Sequence, residues 1–465
     1  MKLPQTKSAP EIKFLYNYSP GRFQVKVLFP NNADSAFGSL GFQTVYHLFN
    51  LQYDFNADLI WLPDKRKKTD LSAEILALSI AYELDLFNFV QALIDARIEP
   101  LAARRKSPLI VCGGVLTLIN PRPLIPFADI ILLGDAELLI PAFADQYRRL
   151  YLAGKSQLLK IAAQLPGFFV PRYNSLQQVK PLIQPRQSVL HSWMIHPRSH
   201  FGSAFLIETG RGCPRKCRFC AAAHIHPYEF HPLEPIIQTI KQWAPPNTAI
   251  GLIGSSLSDH PQLETLINTI VESGHKITVS SLRPDVITPD LARTLRRGGM
   301  KTLTLAPEAG SLRLRKLLGK GMSDKAILQA VKSAALAKIP RLKLYFLIGL
   351  PEETMEDIEA LILMVRQFQQ FYPPPRMELS VNTLIPKPGT PFANLNLAPE
   401  TYINAVRRTL RENLTGVSFT KRSYSLDFIQ AALSQGDESA GLALLNTLKT
   451  GTSFKHALRQ LSDNL

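Results

Sequence analysis

The sequence predicts an α/β protein in three parts. An N-terminal doubly wound parallel sheet comes first, then a partial (β/α)6 barrel, then a helical C-terminal extension. Three observations carry this. Short apolar runs alternate with helical stretches from Arg22 to about residue 392, the pattern of parallel sheets with helices on their faces. Most of the early runs are apolar without alternation, as strands buried on both faces are. After residue 392 the strand pattern stops and helical periodicity continues, broken at Gly416, Gly436, Gly441 and Gly451.

In chain order, residues 1–20 read as a loose leader. Strands are expected at 23–29, 58–62, 75–79, 109–112 and 129–133, and helices at 40–50, 86–96 and 137–150. These make the first domain, 1–150. Residues 151–201 are irregular, with several prolines, and read as a linker wrapping onto the barrel. The barrel is expected over 202–392, with strands at 203–209, 248–254, 276–281, 301–306, 342–348 and 377–384. Helices fit at 233–243, 260–273, 288–297, 323–337 and 354–370. Residues 393–465 form the extension. Reactive groups in parallel barrels gather at the C-terminal ends of the strands.

Composition narrows the class. The chain has 465 residues, enough for two to three domains. Hydrophobic residues make up 46% and charged residues 19%, which argues against general disorder. No apolar run of about 18 residues is free of charge and proline, so no membrane span is expected. The first twenty residues lack a signal-peptide core. Of four cysteines, three are clustered; this is no disulfide framework, and a reducing cytoplasm is the expected compartment. The net charge of +16 raises RNA or an anionic membrane surface as candidate partners. Basic runs stand at 65–68, 104–106, 296–297 and 421–422, and a solvated basic surface explains them equally simply. No aromatic-interleaved RNA module accompanies them.

The chemistry concentrates between Gly210 and Cys220. Cys213, Cys217 and Cys220 follow the pattern C-x3-C-x2-C on a loop fed by an apolar run at 204–208. Three thiolates can hold three corners of a four-iron cluster and leave one iron open. A zinc ion would require a fourth ligand, which His224 or His226 could supply. Phe219 stands just before the third cysteine, and with it the stretch resembles radical S-adenosylmethionine (radical SAM) enzymes, whose signature is C-x3-C-x-aromatic-C after the first barrel strand. The segments Ser79 to Glu83, Cys112 to Pro121 and Phe127 to Glu137 resemble the cobalamin-binding-like domain found before many such barrels. Cobalamin domains that ligate cobalt through histidine carry D-x-H-x-x-G, and that motif is missing here. His47 reads as a core residue, and so does Cys112.

The resemblance implies a [4Fe-4S] cluster on Cys213, Cys217 and Cys220, with S-adenosylmethionine at the open iron, cleaved to a 5′-deoxyadenosyl radical. Cobalamin is a candidate third cofactor. The cosubstrate would be held by Phe219, Gly254, Ser255, Ser256, Ser281, Glu308, Gly349 and Asn382. Gly113 and Gly114 would border the cobalamin. Glu308 and Arg283 are the candidate catalytic residues. Arg283 could equally be an ion pair with Asp285, and the serines after 254 could be helix caps. An electron donor such as flavodoxin or ferredoxin is implied. Three readings stay open: a cobalamin-linked C-methyltransferase, an RNA-modifying radical enzyme, and a non-catalytic RNA-binding protein stabilised by a metal. Methylthio transfer is disfavoured, because that family has three further cysteines in its front domain and only Cys112 is available.

Overall fold

The structure is a computed structural model that describes residues 11–62, 69–185, 188–371 and 375–462. The basic run 65–68 lies outside the described residues. The first sheet contains β1 (Phe23–Phe29), β2 (Phe55–Trp61), β3 (Ile75–Ser79), β4 (Leu109–Gly113), β5 (Ile130–Leu132) and β6 (Phe168–Phe169). Their spatial order is β2-β1-β3-β4-β5-β6. All neighbours run parallel except β6, which is antiparallel to β5. This is doubly wound topology. The winding reverses between β1 and β3, and that reversal opens a crevice at the carboxyl ends of the strands.

Both faces of the sheet are buried, which is why its strands are so apolar. On β1, Phe23, Val25, Val27 and Phe29 enter one core and Leu28 the other. Two stretches depart from their sequence reading. In the supposed leader, Lys13–Phe14 pairs antiparallel with Met194–Ile195. In the supposed linker, Phe168–Phe169 is the edge strand β6, and Leu182 bridges Gly134. Two-residue strands carry no readable period, so tertiary pairing alone defines them.

The barrel strands are β7 (Ala204–Arg211), β8 (Ala249–Gly254), β9 (Ile277–Val279), β10 (Thr302–Glu308), β11 (Arg341–Ile348) and β12 (Arg376–Thr383). They run parallel in sequence order, and a Leu282–Leu305 bridge links the β9 side to β10. Helices on the outside return the chain each time. Pro289–Arg297 shows why one forms there. The Thr288 hydroxyl accepts from the Leu291 N–H, a proline opens the first turn, and Leu291, Ala292 and Leu295 face the core. Gly298 and Gly299 follow it, with Gly299 at φ +87°. Removing the Thr288 cap would cost about 1 kcal/mol.

The segment after residue 392 divides in two. Helix Glu400–Asn413 buries Ile403, Val406 and Leu410 in the barrel core, and Ser418–Phe419 pairs parallel with β12. Helices Tyr424–Gln435, Glu438–Thr450 and Phe454–Ser462 then cross to the first sheet, where Leu433, Ala443, Leu444 and Phe454 enter its second core. The contact is close: a Cβ on Gly441 would stand 2.3 Å from the Pro123 carbonyl oxygen. The Asn120 amide donates to the carbonyls of Gly436 at 2.7 Å and Ser434 at 3.0 Å.

Two of the basic runs turn inward. Arg105 is buried and donates to the carbonyls of Pro100 and Phe127 and to Asp129 at 2.9 Å. Arg422 pairs with the buried Asp427. Arg296 and Arg297 are exposed.

Candidate functional site

The carboxyl ends of the two sheets face each other, and the cysteine loop lies between them. Strand β7 ends at Arg211 and feeds the loop directly. Two glycines let it pass beneath residues 226–230. A Cβ on Gly210 would meet the Glu229 carbonyl at 2.4 Å, and Gly212, at φ +64°, would meet the Pro227 carbonyl at 2.4 Å. From the other side the Arg218 N–H donates to the Leu318 carbonyl at 2.9 Å. Gly319, at φ +71°, lies so close that a Cβ would stand 2.7 Å from the Lys216 carbonyl.

Cys213, Cys217 and Cys220 are free thiols, partly exposed. Burial pushes the Cys217 and Cys220 thiols up, and the neighbouring sulfurs push the same way while the Lys320 ammonium opposes them. The three thus sense one another. Yet no three His, Cys, Asp or Glu side chains among the described residues surround a single ion position. A structural zinc site needs four ligands converging on one point. A four-iron cluster needs one thiolate per iron, spaced around a larger body. The donor set fits the cluster.

Beside the loop, Glu308 ends β10 with φ +71°, a left-handed conformation that costs a non-glycine residue about 1 kcal/mol. Its carboxylate accepts from Lys320 Nζ at 2.6 Å, and both side chains are largely buried. Lys320 was absent from the sequence-derived site; its only signal was a Lys-Gly pair after a short helix. Arg283 places its guanidinium on Asp285, at 3.0 and 2.6 Å, so the ion-pair alternative is the one observed. The Arg283 backbone N–H donates to Ser258 Oγ at 2.8 Å.

The remaining expected positions fall into two groups. Gly254 packs the ends of β7 and β8 together, since a Cβ there would stand 2.7 Å from Thr209 Oγ1. The Ser256 hydroxyl donates to the Gly212 carbonyl at 3.3 Å, and Ser281 is exposed. Gly349 has φ +71°, and a Cβ would meet Ala398 and Ile403 at 2.7 and 2.9 Å. Helix Glu400–Asn413 therefore requires that glycine, independently of any ligand. Gly114 has φ +116° and would strike the Ile80 carbonyl at 2.3 Å, whereas Gly113 has nothing nearer than 3.9 Å. The sequence treated this pair as room for a ligand; Gly114 is already fixed by its own chain.

Two cavities border the loop. The larger, about 530 Å³, lies between the sheets; it is lined by Gly38, Gly41, Thr44, Ser79, Gly114 and Gly134 on one side and Arg211, Gly212, Gly254 and Ser255 on the other. Arg211 crosses it to Asp135 at 2.6 Å while also holding Glu208 at 2.8 Å. Two features of the helix beside it bear on what the cavity could hold. Thr44 Oγ1 is buried with no hydrogen-bond partner, an arrangement that costs free energy unless something satisfies it. Gly41, on the same helix, has only Ser39 Oγ within 4 Å of where a Cβ would be. The smaller cavity, about 260 Å³, includes Phe219 and Asn382; the Asn382 amide donates to Ser380 Oγ at 3.2 Å.

Two family descriptions match the chain: "Radical SAM proteins, N-terminal" over residues 41–171 and "Radical SAM superfamily" over residues 207–365. The chain is a radical SAM protein. Membership makes it an enzyme that uses a [4Fe-4S] cluster and S-adenosylmethionine. This radical SAM chain is 29% identical to an uncharacterized protein of Methanocaldococcus jannaschii, over 94% of each. It is 24% identical to an uncharacterized methyltransferase of Pyrococcus horikoshii, over 60% of this chain and 61% of that one. Its fold matches the radical SAM methyltransferase TsrM of Kitasatospora setae, solved with cobalamin and a [4Fe-4S] cluster, with TM-score 0.62 and 12% identity, covering 96% of this chain and 100% of that one. The cobalamin-dependent radical SAM enzyme OxsB, with aqua-cobalamin and S-adenosylmethionine, matches with TM-score 0.52 and 15% identity, covering 92% and 66%. Among the described residues no helix is long and apolar enough to cross a membrane.

Proposed function

We propose that this radical SAM enzyme is a cobalamin-linked methyltransferase acting on an unactivated carbon. Cys213, Cys217 and Cys220 hold the cluster, and the larger cavity takes the corrinoid. The observation that carries the reading is that cavity. It joins the crevice of a doubly wound sheet to the cysteine loop, and it contains a buried hydroxyl on Thr44 with no partner. The TsrM and OxsB likenesses and the P. horikoshii methyltransferase support the same assignment.

Bound in these places, the cluster supplies one electron for cleaving the cosubstrate, and the corrinoid supplies a carrier for a methyl group. The chain does the rest. The sheet edge offers backbone and small side chains, with Glu137, Arg211 and His226 at its border. Thr44 donates or accepts one hydrogen bond. Glu308, held by Lys320, presents its second carboxylate oxygen to hydroxyl or amino hydrogens of the cosubstrate. His47 takes no part in metal ligation. Its ring stacks on Trp193 at 3.3 Å, and Nδ1 bonds the Tyr18 hydroxyl at 2.7 Å. The reductant is a low-potential donor of the flavodoxin or ferredoxin kind.

Anaerobic reconstitution with iron, sulfide and hydroxocobalamin tests this. We expect about four irons and one corrinoid per chain, and an electron paramagnetic resonance signal from the reduced cluster that changes when S-adenosylmethionine is added. Zinc without iron would remove the cluster. Iron without any retained corrinoid would remove the methyl carrier.

A further inference from the structure

The smaller cavity is built from parts of the chain far apart in sequence. Phe219 comes from the cysteine loop and Tyr82 from the turn after β3. Asn382 and Lys387 lie at and beyond the end of β12, and Arg422 and Gln430 come from the C-terminal segment. Leu347, Leu384 and Ile385 give it apolar walls. Nothing in the radical SAM reading above uses Lys387, Arg422, Gln430 or Tyr82.

A hydrogen-bond inventory of this polar rim is one-sided. The side-chain acceptors around Lys387 and Arg422 are taken. One Glu83 oxygen accepts from Lys387, and the other from the Gln430 amide at 3.0 Å. Asp427 Oδ1 accepts from Arg422 Nε; Oδ2 accepts from the Thr383 hydroxyl at 2.6 Å and from Arg407 at 2.8 Å. The Gln430 carbonyl accepts from the Tyr82 hydroxyl at 3.0 Å and from Arg422 Nη2. The Tyr82 oxygen in turn accepts from Arg422 Nη1 at 3.2 Å.

The donors are only partly used. A lysine ammonium has three N–H groups and a guanidinium five. Lys387 uses one on Glu83. Arg422 uses three, on Asp427, Gln430 and Tyr82. Among the described residues, two N–H groups on each of these cations therefore have no acceptor. The two carboxylates behind the rim, Glu83 and Asp427, are held by Lys387, Gln430, Arg422 and Arg407, and these bonds leave N–H groups on Lys387 and Arg422 unused.

We propose that this cavity binds the carboxylate of an apolar-bodied acid, with Lys387 and Arg422 as its specificity-determining residues. A carboxylate offers about four lone-pair positions, which matches the four spare N–H groups, and charge-assisted bonds of this kind are the strong ones. The apolar walls suit an aryl or alkyl body. At about 260 Å³ the cavity falls just below the usual range for drug-sized ligands, so the fit is to a small acid or to the acidic end of a longer one. Phe219, between Cys217 and Cys220, places this anion site beside the loop assigned to the cluster. The ligand is the substrate if the function proposed above holds. The anion site itself rests on the inventory alone.

The test is fluorine magnetic resonance on the reconstituted protein with S-adenosylmethionine present. The probes are 4-fluorophenylacetate, its uncharged isostere 4-fluorophenylacetamide, and 4-fluorophenyl phosphate. The acid line should broaden on adding protein and the amide line should not. Arg422→Gln and Lys387→Gln should each weaken acid binding about tenfold or more and leave the iron-sulfur absorbance unchanged. Equal broadening of acid and amide, no broadening by any probe, or unchanged acid binding in both variants overturns the proposal. Preference for the phosphate overturns the carboxylate assignment. If a variant fails to fold, the acid–amide comparison on the unaltered protein still decides. Loss of the cluster from the unaltered protein would strike the function proposed above and leave this comparison readable.

Discussion

The two cavities beside the cysteine loop are opposites. The larger is edged by glycines and backbone and by Asp135, Glu137, Glu208, Arg211 and His226, with Thr44 Oγ1 unpartnered and Arg211 already committed to Asp135 and Glu208. The smaller is rimmed by cations whose acceptor partners are saturated. A doubly wound sheet offers its ligand little but close backbone approach, whereas side chains beyond barrel strand ends can be chosen one by one. On the assignments proposed above, the two sheets divide the labour between a large, common cofactor and a small, particular substrate.

The loop that both cavities share should show the largest effect. Changing Cys213, Cys217 or Cys220 to alanine should abolish iron-sulfur absorbance and 5′-deoxyadenosine formation, with folding retained, because neither apolar core includes these residues. Cys112→Ala should keep both activities. Cys112 is fully buried on β4, where burial pushes its thiol far up and keeps it protonated. Retained cleavage in a motif variant would detach the chemistry from this loop.

Gly41→Phe would separate the cavities next. A ring at that position fills the larger one, so most retained corrinoid should be lost while the iron content stays constant. Equal loss of both would mean that the cavities do not act independently.

On the charged side, Lys320→Ala leaves the largely buried Glu308 carboxylate unpaired. The expected cost is about 3 kcal/mol, read as a lower urea midpoint, and Glu308→Gln in the same chain should return part of it. Neutral behaviour would show that solvent reaches this pair.

The smallest effect lies away from both cavities, in the aromatic cluster around His47. Burial lowers the His47 pKa from 6.5 to about 4, with nearby His191 acting the same way. The folded state thus resists protonation that the unfolded chain accepts. Stability from this source is fully present above about pH 6.5 and is lost as pH falls toward about 4. Between about pH 7 and pH 5 the loss should be about 2 kcal/mol, and His47→Gln should flatten it in urea titrations.

Much of this was legible in the sequence for a physical reason. Strands such as β1 and β3 are apolar runs buried on both faces, β11 alternates buried and half-buried positions, and helices such as Leu40–Asn50 and Leu233–Trp243 repeat their apolar positions once per turn. The three cysteines were legible because a cluster's ligands must lie on one short loop. What was not legible depends on distance along the chain. Lys320 meets Glu308 through a turn that no period marks. Glu83 meets Lys387 across 304 positions and Gln430 across 347, so no local pattern could pair them. Gly349 shows a second cause for one residue: the turn resembles a ligand-binding motif, and the glycine is also packed against Ala398 and Ile403, about fifty residues later.

The crossing of residues 424–462 onto the first sheet bears on how the protein is made. Leu433, Leu444 and Phe454 complete a core begun by Leu28 and Leu76, and Asn120 waits for Ser434, 314 positions downstream. During translation the N-terminal sheet emerges first, yet one of its faces, packed in part by helix Asp85–Asp95, stays incompletely covered until the barrel has been synthesised. Nascent chains at that stage carry an open hydrophobic surface, the kind that chaperones recognise. The same dependence predicts that the first sheet expressed alone is less stable than in the full chain. Exchanging it between relatives would require its distant helical cover to travel with it.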